Sequence, residues 1–115
     1  MQIIIRCQDQ IITKNSLFAS AFMHRLIGLL NPNLPRTLIF KTRFGIHTLF
    51  LDNPIDVIVL NNKMQVVKIK KFLNPNRFFF WNPKYQYIIE LPNGTIDKYN
   101  ISFGNKIDFE PSINS

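Results

Sequence analysis

Few side chains in this sequence could do chemistry. His47, Asp52, Asp56 and Glu90 sit within or beside apolar stretches, Arg25 is a cation in a similar setting, and Cys7 is the sole thiol. Gathered in one cleft, His47 and the three carboxylates could hold and move protons, as a small hydrolase or isomerase requires. A metal site is a poor fit, because His47 has one nearby acid and no second histidine at ligand spacing. No cysteine motif supports a Cys7–His47 nucleophilic pair, and a lone cysteine is ordinarily a small buried hydrophobe. There is no G-x-S-x-G elbow and no H-E-x-x-H helix. Four glycines leave little material for a phosphate cradle. The expectation is therefore no cofactor, no metal and a non-enzymatic role.

The same residues have structural uses. In an extended Ile55–Leu60, Ile55, Val57 and Val59 share one face, and Asp56, Ile58 and Leu60 share the other. Both faces are apolar apart from Asp56, which predicts a central strand with a buried carboxylate. A buried carboxylate must be paired or well hydrogen-bonded. Arg25 is the expected partner, with Glu90 as a second acid posing the same problem beside Ile88, so Arg25, Asp56 and Glu90 form a candidate structural ion pair. Arg77-Phe78-Phe79-Phe80-Trp81-Asn82-Pro83-Lys84-Tyr85 interleaves aromatics with cations. Five such bulky positions cannot all point inward along a strand, so some of residues 78–81 should line a rim or pocket. The candidate ligand-binding residues are His47, Thr48, Asp52, Arg77 and Trp81, with a surface expected near His47, Asp56 and Trp81.

These residues need elements to hold them. Residues 3–7 and 11–14 are β-branched runs around the polar Gln8-Asp9-Gln10 and read as a hairpin. Asn15-Ser16 can cap a helix over 17–30, whose apolar Phe18, Phe22, Leu26, Leu29 and Leu30 follow the helical period. Asn31-Pro32 stops it. After Pro35 the signals are those of strands: 37–41, 46–51, 55–60, 65–72, 85–91, and a closing pair at 101–103 and 106–109. Thr95 can cap a short helical turn at 96–99. The expected fold is mainly β, a compact antiparallel sandwich or barrel-like single domain over 1–110 with one N-terminal helix packed on it. Residues 111–115 form a frayed tail.

Four blocks in order resemble a known family. They are Arg25-Leu26-Ile27-Gly28-Leu29-Leu30; Gly45-Ile46-His47-Thr48 running through Pro54-Ile55-Asp56-Val57 to Leu60; Ile88-Ile89-Glu90-Leu91-Pro92-Asn93-Gly94-Thr95; and Asn100 through Gly104-Asn105-Lys106-Ile107. Together they are similar to the domain-of-unknown-function 192 (DUF192) family over roughly residues 13–107. Leu51, Asn93 and Asn105 depart from residues common in that family. The resemblance implies a compact β-sandwich and brings no established activity.

Length and charge set the outer bounds. A chain of 115 residues, 46% hydrophobic and 18% charged, can bury the core of one domain without disulfides. Lysine and arginine number 14 against 7 acids, for a net charge of +7. The bias toward Ile, Asn, Lys and Phe can produce that excess without selection for a nucleic-acid partner. In an extended 66–72, Lys68 and Lys70 alternate with Val67 and Ile69, as on a solvated strand face. A nucleic-acid-binding module would need Lys68, Lys70, Arg77 and exposed aromatics on one surface. The expected partner is a small ligand or a protein, with nucleic-acid binding weak and non-specific. The start of the chain lacks a signal-peptide pattern and no stretch spans a bilayer, which predicts a cytoplasmic protein.

Overall fold

The computed structural model describes residues 3–18, 37–43, 45–49, 51 and 53–111. More than half of them are strand. The strands are β1 (Ile3–Cys7), β2 (Gln10–Phe18), β3 (Thr37–Lys41), β4 (Ile46–His47), β5 (Ile55–Leu60), β6 (Val66–Leu73), β7 (Phe78–Phe79), β8 (Tyr87–Pro92) and β9 (Ile107–Pro111). One short helix, α1 (Thr95–Lys98), lies between β8 and β9. Seven strands form one sheet in the order β6-β5-β8-β3-β2-β1-β9, and β4 pairs with β7 as a separate two-stranded layer. Every neighbour is antiparallel except β2–β3, which runs parallel. That one parallel pair departs from the expected all-antiparallel sheet.

The sheet curls until its two edges meet at one end. Gln65 bridges Lys106, the Val66 N–H donates to Asn105 O at 2.9 Å, and the Ile107 N–H donates to Met64 O at 2.8 Å. The result is a half-barrel. Side chains from all seven strands converge inside it, among them Ile5, Ile12, Ile39, Ile58, Ile89 and Ile107, and Ile96 of α1 plugs it. A second core covers the outer face of β3, β5 and β8. There Leu38, Phe40, Val57, Val59 and Ile88 meet Phe79 and Trp81 of the overlying layer. β5 therefore buries both faces, with Val57 and Val59 outward and Ile58 and Leu60 inward, as its sequence predicts.

Several expectations need correction. Asn15 and Ser16 do not cap a helix at Leu17. β2 continues to Phe18, with Ser16, Leu17 and Phe18 opposite Thr37, Leu38 and Ile39. The buried Ser16 hydroxyl donates to Ile3 O at 2.6 Å, so strand pairing takes up the side chain that would have capped. The rest of the expected helix, with Arg25, lies outside the described residues. The helix that is described falls in the C-terminal half, and its N-cap is the left-handed Gly94 rather than Thr95, whose hydroxyl donates to Pro92 O. Residues 101–103 form no strand. Pro111 belongs to β9, opposite Ile3, and not to a tail. No helix among the described residues is long and apolar enough to cross a membrane.

β6 carries two bulges that change which side chains share a face. Opposite Val59 and Leu60 stand Lys68 and Val66, leaving Val67 extra. Val67 therefore packs on the outer core beside Lys68, while Ile69 packs on the inner one. The expected simple alternation fails at the bulge, because one inserted residue shifts the pleat. Lys68 and Lys70, opposite Val59 and Val57, stay on the outer side.

Candidate functional site

The second bulge explains Asp56. Between Ile55↔Leu73 and Val57↔Lys70, one residue of β5 faces two of β6, and Phe72 is forced to φ 55°. Its N–H leaves the ladder and donates to Asp56 Oδ1 at 3.1 Å. Asp56 Oδ2 accepts the N–H groups of Gly94 at 3.1 Å and Ile96 at 2.9 Å, at the start of α1. A buried carboxylate thus finds three backbone donors, which satisfies its need for hydrogen bonds without a cation. Glu90 is buried too but on the opposite face of the sheet, since it stands across from Leu38 and Val57 of the outer core. One guanidinium cannot serve both acids. Asp56 faces away from the outer layer that carries His47, whereas Glu90 lies on the face that layer covers, so His47, Asp56 and Glu90 do not all meet in one cleft as the hydrolase constellation requires. Asp52 lies outside the described residues. Among the described residues no three histidine, cysteine or acidic side chains cluster to hold a metal. Cys7 is buried, and loss of solvation raises its thiol pKa above the ordinary value.

The outer layer is held by Thr48. Its hydroxyl donates to Asn74 O at 2.7 Å and accepts the Arg77 N–H at 2.8 Å. The Thr48 N–H donates to Arg77 O at 2.8 Å, and Thr48 O accepts the Asn76 N–H at 3.1 Å. These bonds pull the chain out of a strand after His47, which is why the expected 46–51 strand shortens to two residues. They also fix the turn before β7, so that His47 lies opposite Phe78 and Ile46 opposite Phe79. Thr48 is fully buried and is a latch for the backbone.

From this anchor the aromatic run alternates. Phe79 and Trp81 point into the outer core, while Phe78 and Phe80 are 64% and 63% exposed. The Trp81 indole N–H donates to Tyr85 O at 2.8 Å, so Trp81 anchors the layer from below and does not face outward as a ligand contact. The exposed Phe78 and Phe80 rings are parallel, 5° apart in plane and 6.3 Å between centroids. His47, half-buried, meets Phe78 edge-on at 6.4 Å. Phe80 lies over Gly45, where a Cβ would fall 2.5 Å from the ring and 2.9 Å from Phe79 O. Only a residue without a side chain allows that approach.

Cations are common in the same layer and the strands beside it. Lys68 Nζ donates to Phe80 O at 3.0 Å and stands 5.0 Å from the Phe79 ring centroid. Arg43 donates to Pro83 O at 3.1 Å, Lys84 lies over Tyr85, and the exposed Arg77 precedes Phe78. The segments 41–51 and 74–89 contain Lys41, Arg43, Arg77 and Lys84 and no acid at all. Of the candidate residues, His47, Thr48 and Arg77 come together in this layer, with Trp81 beneath it and Asp56 on the other side of the sheet. Sequence reasoning expected some of residues 78–81 at a rim, but named Trp81 where the exposed rings are Phe78 and Phe80, and it assigned no role to Gly45. A strict two-residue period through 78–81, set by the larger Trp81 facing inward, would have found the exposed pair.

The DUF192 family profile, described as "Uncharacterized ACR", matches residues 8–109. The chain belongs to the DUF192 family. The UPF0127 protein of Thermococcus sibiricus is 36% identical over 115 residues, covering 94% of this chain and 74% of its own length. The UPF0127 protein of Pyrococcus furiosus is 33% identical over 102 residues, covering 84% of this chain and 87% of its own. Among solved structures, a protein of unknown function from Novosphingobium aromaticivorans superposes with a TM-score of 0.70 at 15% identity, over 91% of this chain and 83% of that one. A protein of Sinorhizobium meliloti described as a candidate transcription regulator gives the same score and identity, over 93% and 92%. These two likenesses establish a fold shared at low identity and nothing about activity.

Proposed function

We propose that this DUF192 domain is a non-enzymatic binding module whose recognition surface is the Phe78–Phe80 pair, with His47 and Arg77 at its rim. The observation that carries the reading is the exposure of two parallel phenylalanine rings on a layer clamped from beneath by Thr48, Phe79 and Trp81. Single exposed apolar residues are ordinary, but adjacent large rings held rigidly form a patch suited to a flat apolar or aromatic group. The polar side chains with catalytic potential support the same reading. Asp56 is committed to three amides and Thr48 to its turn, so neither is free to move a proton on a substrate.

The test is nuclear magnetic resonance on protein carrying labelled phenylalanine rings. Adenosine monophosphate, N-acetyltryptophanamide and cellotriose serve as probes. At least one should shift Phe78 and Phe80 saturably, leave the buried Phe40 in place, and be recovered chemically intact. If no probe moves either ring, or if a probe is consumed, the reading is wrong.

A further inference from the structure

We infer that the partner of this surface is a single-stranded nucleic acid, its bases stacked on Phe78 and Phe80 and its phosphates met by Lys68, Lys70 and Arg77; this rests on the binding-module reading above. Composition accounts for a surplus of lysine but not for where it lies. The excess of positive charge is uneven across the sheet. At the β6 edge are Lys68, Lys70 and Lys71, and the adjoining layer over residues 41–51 and 74–89 adds four cations without an acid. At the other edge Asp9, Asp108 and Glu110 are balanced by Arg6, which bonds Glu110, and by Lys14 and Lys106. Lys71 is offset by Asp97. Asp56 and Glu90 are buried. Among the described residues, the exposed aromatics thus stand on the side that carries the uncompensated cations.

The chemistry favours single strands over other anions. A cationic groove tracking a backbone, with aromatic rings that accept bases of any sequence, is the general solution for binding single strands. A duplex keeps its bases stacked inside and offers nothing to Phe78 or Phe80. A peptide of acidic side chains alone could use the cations but would leave the rings idle. A cleft of about 270 Å³ among the described residues, lined by Asn61, Asn62, Lys63, Gln65, Lys84 and Tyr85, adds no rival site. The Asn61 side chain there is occupied by Lys63 N–H, Gln65 N–H and the Gln65 side chain.

The experiment is fluorescence anisotropy at physiological salt with labelled oligo-dT and oligo-rU of about 15 nucleotides, a duplex of equal length, and poly-glutamate as competitor. Both single strands should bind with Kd near or below about 10⁻⁶ M, tighter than general electrostatics gives. The F78A/F80A double variant should lose roughly 10-fold or more, with its salt dependence unchanged, since stacking on one ring is worth about 5- to 150-fold per base. F78Y/F80Y should retain binding. K68A/K70A/R77A should flatten the salt dependence. The inference is overturned if poly-glutamate displaces the strand as readily as another strand does, if the duplex binds equally well, or if F78A/F80A binds unchanged. Ring shifts with the small probes but no strand binding would leave the binding module standing and remove the nucleic acid. Silence in both experiments would remove both.

Discussion

Replacing Asp56 by Asn keeps the side chain's size and removes its charge, and the consequences can be worked through atom by atom. Asp56 accepts from Phe72, Gly94 and Ile96, using one oxygen for the bulge and the other for the start of α1. An asparagine can present its one oxygen to either group, and its NH₂ must then point at a donor on the other side. With the oxygen turned to Gly94 and Ile96, the Phe72 N–H faces another donor and must turn to water. Phe72 is 55% exposed, so water can reach that amide, whereas the Ile96 amide lies in the interior. Hydrogen bonds to a charged acceptor contribute about 1.5–3 kcal/mol each, and neighbouring losses are not additive. Asp56→Asn should therefore cost about 2–3 kcal/mol. Asp56→Ala, which also strands the Ile96 amide, should cost about 3–5 kcal/mol. In urea, where m for a domain of this size is about 1–3 kcal/mol/M, the midpoint should fall by about 1 M or more. Hydrogen exchange should quicken first at Phe72, Gly94 and Ile96. A midpoint for Asp56→Asn within error of the wild type, with those amides still protected, would refute this account of Asp56.

Thr48→Val removes the hydroxyl between Asn74 and Arg77 at nearly constant volume. It should cost about 1–3 kcal/mol in a urea melt and broaden the Phe78 and Phe80 ring signals, because the turn that aims them is released. Gly45→Ala should cost about 1–3 kcal/mol from its φ of 90° and the 2.9 Å approach to Phe79 O, and the Phe80 ring resonances should shift as the ring is displaced. Equal stability and unmoved rings would disprove that contact. Cys7 has a pKa raised by burial, so its contribution is fully present below the thiol's ordinary pKa and is lost as pH rises through the raised one. Stability measured from neutral to alkaline pH should decline above the ordinary thiol range, with a smaller decline in Cys7→Ala, and alkylation at neutral pH should proceed only as fast as the chain unfolds.

Local patterns were readable wherever local forces decide the outcome. β3 and β5 have the bounds their sequences predict, and the two apolar faces of β5 follow from its side-chain alternation. The failures share a cause. At Ser16 a helix-capping signal lost to a strand pairing with residues more than twenty positions away. After His47 the apolar Leu49 and Leu51 suggested a longer strand, but Thr48 bonds to a turn whose position no local pattern announces. At Asp56 a buried charge was correctly foreseen, yet its partners are amides exposed by a bulge and by a left-handed glycine. Backbone donors are invisible in a sequence, since every residue but proline carries one.

Of the four blocks that mark the family, the three among the described residues supply much of the frame. Thr48 of the I-H-T block latches the outer layer, and Asp56 of the P-I-D-V block holds Gly94 and Ile96 at the end of the E-L-P-N-G-T block. The closing block bonds through Gly104 and Asn105 to Val66 and draws the half-barrel together. Residues shared for these reasons need not report a common ligand, because a fold can host many functions at sites set upon it. The aromatic run 77–85 falls outside all four blocks, and it carries the exposed rings and two of the cations. The frame defines the family; the segment it presents is where this member's binding should be sought.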